Sequence, residues 1–336
     1  MATIAHDERT TGISVNTVAG AVDAGHLGIT YMHEHVFCVN PEIQYYWPGY
    51  RDWDEDTQVA RAQRALWHLH HEYGVGTILD PTVGGLGRNI RAVARAAQDT
   101  GINVIACTGW YCMGELPFTF YTLEHDEKIA ELTGLFVRDI RQGLEGTAIK
   151  PGAIKCSTDV QGITSDIDVL LRASARAHVE TGAPITTHSE FSNRSGLMQQ
   201  EIFLEEGVDM NAVVIGHVNQ SDDLGYMERL VENGSYIGFD RCGLESAVAS
   251  HETQIDNLAE LCRRGYASRV VLAHDHSIFV DLMSQEALED LHSVHYPYGH
   301  VHKATIPGLR SRGVTDDQIQ LMLVENPRAF FSRVIA

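Results

Sequence analysis

Positive charge is scarce in this chain: 25 Lys+Arg stand against 45 Asp+Glu, a formal net charge of −20 over 336 residues. Without a dense Lys/Arg block such a surface repels polyanions, which argues against nucleic acid or an anionic membrane as a partner. No apolar stretch approaches the ~18 residues a membrane-crossing helix needs. The first twelve residues, MATIAHDERTTG, hold no apolar run, so no secretory signal is read there. No CxxC pair occurs among the six cysteines (Cys38, Cys107, Cys112, Cys156, Cys242, Cys262), whose scatter speaks against a disulfide framework and for buried, reduced thiols. A cytoplasmic protein is expected. There is no Pro/Ser-rich linker and no fixed-period repeat, and 44% hydrophobic residues is too many for disorder.

What is present is an alternation. By length alone the chain fits two ordinary domains or one α/β barrel. Eight short apolar runs, at 27–35, 74–82, 102–110, 151–157, 183–189, 212–218, 234–240 and 269–275, are separated by amphipathic stretches such as 57–73, 88–101 and 165–182. Strands alternating with helices make parallel sheets, and eight such units predict a single (β/α)8 TIM barrel across 1–336. The alternating segment 14–23 predicts an N-terminal β-hairpin (within 13–26) over one barrel mouth.

Histidine is abundant, 18 in all, and its placement matters more than its number. His33 and His35 close the first run, Lys155 the fourth, His188 the fifth, His217 the sixth and Asp275 the eighth. In a barrel these carboxyl ends converge on the face where sites are built. Spaced two apart on a strand, His33 and His35 point the same way, although HxH serves as a structural pair as readily as a ligand pair. With His188, His217 and Asp275 the set suits one or two divalent cations. A lysine buried beside such cations loses its proton easily. As a neutral amine it can add CO2, and the carbamate's two oxygens can bridge two metals.

The stretches LGITYMHEH, IKCSTD, ITTHSE, IGHVNQSDDLGYMERL with SYIGFDR, and LAHDHSIF resemble the metal motifs of the phosphotriesterase family in the amidohydrolase superfamily. The likeness runs from the hairpin to VTDDQIQLMLVENPRAFF. It implies a binuclear centre: one metal on His33, His35 and Asp275, the other on His188 and His217, bridged by N6-carboxylated Lys155 and a hydroxide. Zn2+ is the first expectation, with Mn2+, Co2+ or Fe2+ as alternatives. Two cations acidify a shared water, and Asp275 is placed to take its proton.

Tyr111 in TGWYCMGELPF and Arg241 in GFDRCGL are similar to residues of the phosphotriesterase-like lactonases, where the phenol meets the lactone ring and the guanidinium holds a loop. The chain departs from that pattern at Met113, Cys242 and His276. The segment 276–306 reads as a loop over the active site, with Ile278, Phe279, Val280, Leu282 and Met283 along an acyl channel. Substrate contacts are therefore expected from Tyr111, Arg241, Cys242, His276 and Phe279. The resulting expectation is a homodimeric hydrolase opening neutral lactones, acyl-homoserine lactones among them, with side activity on phosphotriesters. The alternative is a main substrate that is a phosphotriester, another ester or an amide. TVGGLG lacks the third glycine of a nucleotide loop and reads as a tight turn. His292, His295, His300 and His302 lie near no strand end and read as solvated.

Overall fold

The structure is a computed structural model describing residues 12–291 and 298–333. An antiparallel hairpin comes first, β1 (Ser14–Thr17) with β2 (Gly20–Asp23), Ser14 facing Asp23. There follow β3 (Ile29–Tyr31), β4 (His35–Cys38), β5 (Val75–Asp80), β6 (Asn103–Gly109), β7 (Ala153–Ser157) and β8 (Ile185–His188). The last four are β9 (Val213–Ile215), β10 (Tyr236–Phe239), β11 (Val270–Leu272) and β12 (Ser277–Val280). All from β3 to β11 except β4 join one eight-stranded sheet, ordered β11-β10-β9-β8-β7-β6-β5-β3 and parallel throughout. Its edges meet where the Met32 N–H donates to the Leu272 carbonyl at 3.1 Å, closing the (β/α)8 barrel.

The connecting helices are α1 (Pro41–Tyr46), α2 (Glu55–Tyr73), α3 (Ile90–Ala97), α4 (His125–Gln142), α5 (Ser165–Thr181), α6 (Ser195–Glu205), α7 (Leu224–Glu232) and α8 (His251–Arg263). α5 shows how sequence sets their ends. The Thr164 hydroxyl accepts the Ile167 N–H at the start, a cap worth about 1 kcal/mol, and Gly182 ends the helix in the left-handed region at φ 78°. Between these caps Ile167, Leu170, Leu171 and Ala175 are buried against the barrel. Strand alternation divides the core. Leu79, Ile105, Ala153, Val214 and Val271 fill the barrel's inside, while Ile78, Val104, Ile154, Ile215 and Leu272 pack under the helices.

The hairpin sits where expected, at one mouth. The Val18 N–H donates to Val104 O at the start of β6, and the Asn16 amide to Pro151 O just before β7, so it closes the end opposite the strand carboxyl termini. All six cysteines are free and buried. Among the described residues no helix is long and apolar enough to cross a membrane.

The segment after β11 differs from the expected open loop. β12 runs parallel to β4, with Phe279 opposite Phe37, and continues into α9 (Gln285–Asp290). Ile278 and Phe279 are therefore core residues: Phe279 is 1% exposed and packs on Trp53 at a ring separation of 4.9 Å. The run is continuously apolar from Ile278 to Val280, with Ile278 and Phe279 both buried, and pairing with β4 satisfies its backbone. His292 and His295 lie outside the described residues. His300 and His302 are half-buried, not solvated: one meets His251 at 3.3 Å and the other the Tyr31 hydroxyl.

Candidate metal centre

Strand ends bring the six polar residues together. His33 lies between β3 and β4, His35 opens β4, Lys155 lies within β7, His188 ends β8, and His217 and Asp275 follow β9 and β11. His33, Lys155 and His217 are each 1% exposed. Asp275 Oδ1 stands 3.5 Å from His33 Nε2 and 3.3 Å from His35 Nε2, and Lys155 Nζ is 3.3 Å from His33 Nε2. On the other side the rings of His188 and His217 are 4.4 Å apart, and His217 Nε2 is 3.8 Å from Asp275 Oδ2.

These spacings suit a cation. Ligand atoms bound tetrahedrally at ~2.1 Å stand roughly 3.4 Å apart, close to the separations of Asp275 Oδ1 from His33 and His35. The residues present therefore fit a divalent ion, and His33, His35 and Asp275 form one of two described groups able to hold one. The second group, His33, His217 and Asp240, is better read as support. Asp240 meets the Nδ1 edges of both rings, at 3.3 and 2.9 Å, and leaves both Nε2 atoms free to face the site.

Electrostatics favour binding at His33, His188 and His217, whereas at His35 burial is outweighed by Cys38 and Asp275, which raise the ring above its usual range. Burial, followed by the Lys155 charge, lowers His33 to about 3, and burial lowers His188 and His217 as well, so all three imidazoles are neutral donors. Burial would raise Asp275, but Arg241, His217 and His33 outweigh it and hold the carboxyl well below its usual range. Burial lowers Lys155 to about 8. An ammonium there is easily neutralised.

Two of these residues carry backbone strain: His217 has φ 60° and Asp275 φ 58°. Such a conformation persists in a side-chain-bearing residue only where its surroundings over-determine it. Asp240 Oδ1 accepts both the backbone N–H of His217, at 2.8 Å, and its ring N–H. His35 is oriented in turn by Thr82 Oγ1 at 2.6 Å, and that hydroxyl donates to Asp80. Asp240 and Asp80 were not picked out by sequence, yet Asp240 ends the run 234–240 and Asp80 ends β5 within the run 74–82.

The rim is formed by half-buried groups. Tyr111 donates its phenolic proton to Asp159 Oδ2 at 2.8 Å and stands edge-on to His188 at 5.3 Å. Asp159, also missed from sequence, is 3.5 Å from His188 Nε2. Arg241 Nε donates to Asp275 Oδ2 at 2.8 Å, a direct contact with a site carboxylate. The TVGGLG turn positions Tyr111. The Tyr111 N–H donates to Gly84 O, and a Cβ on Gly85 would stand 1.9 Å from the Tyr111 carbonyl.

Three expected substrate contacts are buried instead. The Cys242 thiol donates to Phe239 O, the His276 ring stacks on Tyr298 at 4.3 Å, and Phe279 lies against Trp53. The nearby open space is elsewhere. A cavity of about 930 Å³ beside the β6 and β7 loops is lined by Met113, Leu116, Phe118, Tyr121, Gln161 and Thr164.

Comparison with known proteins agrees with this geometry. A model of the Phosphotriesterase family matches residues 13–331. A "Phosphotriesterase homology protein" of Mycobacterium tuberculosis is 43% identical over 323 residues, covering 95% of this chain and 98% of the relative. An "Aryldialkylphosphatase" of Saccharolobus solfataricus is 35% identical over 315 residues, covering 93% and 97%. A solved structure of the phosphotriesterase from Mycobacterium tuberculosis superposes with TM-score 0.90 at 43% identity, covering 95% of this chain and 98% of that one.

Proposed function

This chain belongs to the phosphotriesterase family of ester hydrolases, and from that premise we propose that it opens lactone rings. Acyl-homoserine and other γ- or δ-lactones are its substrates in this reading, and phosphotriesters are side substrates. The observation that carries the reading is Tyr111, an aromatic with a polar tip standing over His188 and tethered by Asp159. The acyl chain follows the cavity beside Met113, Leu116 and Phe118, not the β12 segment. The acidic chain suits a neutral ester, whether lactone or phosphotriester, better than an anionic phosphate.

His33, His35 and Asp275 would hold one divalent ion, and His188 and His217 the second. Zn2+ suits such a nitrogen and oxygen set, as do Mn2+, Co2+ and Fe2+. When bound, the pair supplies an acidified water and polarises the ester carbonyl. Lys155 would link the two halves as a carbamate. Its neutral Nζ attacks the carbon of CO2, an N–C bond forms, and one proton leaves to solvent. Asp275 accepts the proton released in attack on the ester, and Arg241, bonded to Oδ2, fixes the direction of that carboxylate. A homodimer belongs to the same reading, supported by aromatic side chains exposed at and just after the end of α1: Tyr45, Tyr46 and Trp47.

A second reading, with phosphotriesters as main substrates, is favoured by the 35% identical relative named aryldialkylphosphatase. A panel of lactones of graded chain length, aryl phosphotriesters and amides on zinc-loaded protein separates the two. The lactone reading requires the highest kcat/KM on a lactone, and a higher value on a triester or an amide would overturn it.

A further inference from the structure

His33 and His35 point into the barrel, so Glu34 between them points the other way, into the layer beneath the helices. A carboxyl group there, fully buried, needs several hydrogen-bond partners. It has three. Glu34 Oε1 accepts the backbone N–H of His274 at 2.9 Å and its ring Nδ1–H at 2.7 Å, and Oε2 accepts the backbone N–H of His276 at 3.0 Å. The residue between those two amides is Asp275, held at φ 58°, and its own N–H donates to His33 O at 3.0 Å. Three consecutive amides of the turn thus all bind the His33–Glu34 pair. In the other direction the His35 N–H donates to His276 O at 2.8 Å.

This turn decides where the Asp275 carboxylate goes. Its left-handed backbone lets Oδ1 face His33 and His35 while Oδ2 faces Arg241. The same clamp reaches outward. His274 Nε2 accepts the Val301 N–H at 3.0 Å, and His276 stacks on Tyr298, so the segment after residue 297 docks on the turn.

We propose that Glu34 is a positioning residue: by binding the amides on both sides of Asp275 it fixes the strained turn that aims this carboxylate at its metal. The inference rests on the metal reading of the site, but part of its test does not. Glu34→Gln keeps the shape and one oxygen, and its amide must set N–H against the N–H of one of the two histidines. Three measurements on the full chain decide it: zinc titration by calorimetry, amide exchange at His274 and His276, and the same substitution in an Asp275→Asn background.

The expected results are a roughly 10- to 100-fold weaker affinity for one of two zinc equivalents and roughly tenfold faster exchange at one or both turn amides. In the Asp275→Asn background the zinc affinity should not fall further, because Glu34 acts through Asp275. Unchanged affinity and exchange in Glu34→Gln would overturn the role. So would zinc losses that multiply in the double variant, since they mark a general structural defect. A parent chain that takes up no zinc would instead sink the metal reading, and the exchange rates would still decide whether Glu34 holds the turn. Should Glu34→Gln not fold, His274→Gln removes the ring donor alone, and its turn amides must exchange faster for the clamp to stand.

Discussion

Tyr111 gives its phenolic proton to Asp159 across 2.8 Å. The phenol oxygen then faces the site as an acceptor, and the carboxylate stands beside His188. Tyr111→Phe removes one hydrogen bond, worth about 1 kcal/mol, and should lower kcat/KM on γ-lactones by about 5- to 10-fold. An aryl phosphotriester should be hydrolysed nearly as before. Steady-state kinetics on both substrates check this, and equal effects on the two would remove the phenol from lactone selection.

Asp275→Asn should leave the fold intact and cut turnover by about 10²- to 10⁴-fold, because in the proposed mechanism the amide could neither take up the proton nor hold the metal as the carboxylate would. Circular dichroism and single-turnover rates distinguish loss of chemistry from loss of fold. Near-normal turnover would take Asp275 out of the mechanism.

Lys155 gives the metal-free protein a pH signature. Its amine is lowered to about 8 from the ordinary 10.5, chiefly by burial, so between those values the unfolded chain binds the extra proton. Its contribution to stability therefore rises with pH across that window and is least below it. Urea unfolding at pH 8 and pH 10 should show this rise in the parent and a smaller one in Lys155→Met. Identical slopes would mean that Lys155 keeps its charge in the folded chain.

Phe279→Ala should cost about 3–5 kcal/mol of stability, as expected for an aromatic removed from a core, with no change in preferred acyl length. Phe118→Ala, on the exposed wall of the open cavity, should do the reverse. Thermal melts and a chain-length series read both effects.

The barrel and the six converging residues were legible because both rest on periodicity. Apolar runs alternate with amphipathic stretches, and ionisable residues interrupt the runs at their carboxyl ends. The same rule did not single out Asp240, which closes its run, or Asp80, near the end of its own, because acidic residues at strand ends are common and nothing local marks these as partners of histidine. Glu34 left no signal, since its three donors come from residues some 240 positions away in the chain. Phe279 was misplaced for a related reason. Its run has the pattern of a loop wall or a strand, and only pairing with β4 decides between them.

Adding zinc stepwise to the chelated protein while following hydrolysis of a γ-lactone tests the central claim most directly. Two equivalents should bind per chain, with activity absent before addition and complete only as the second is taken up. Full activity in protein carrying no metal would contradict the account.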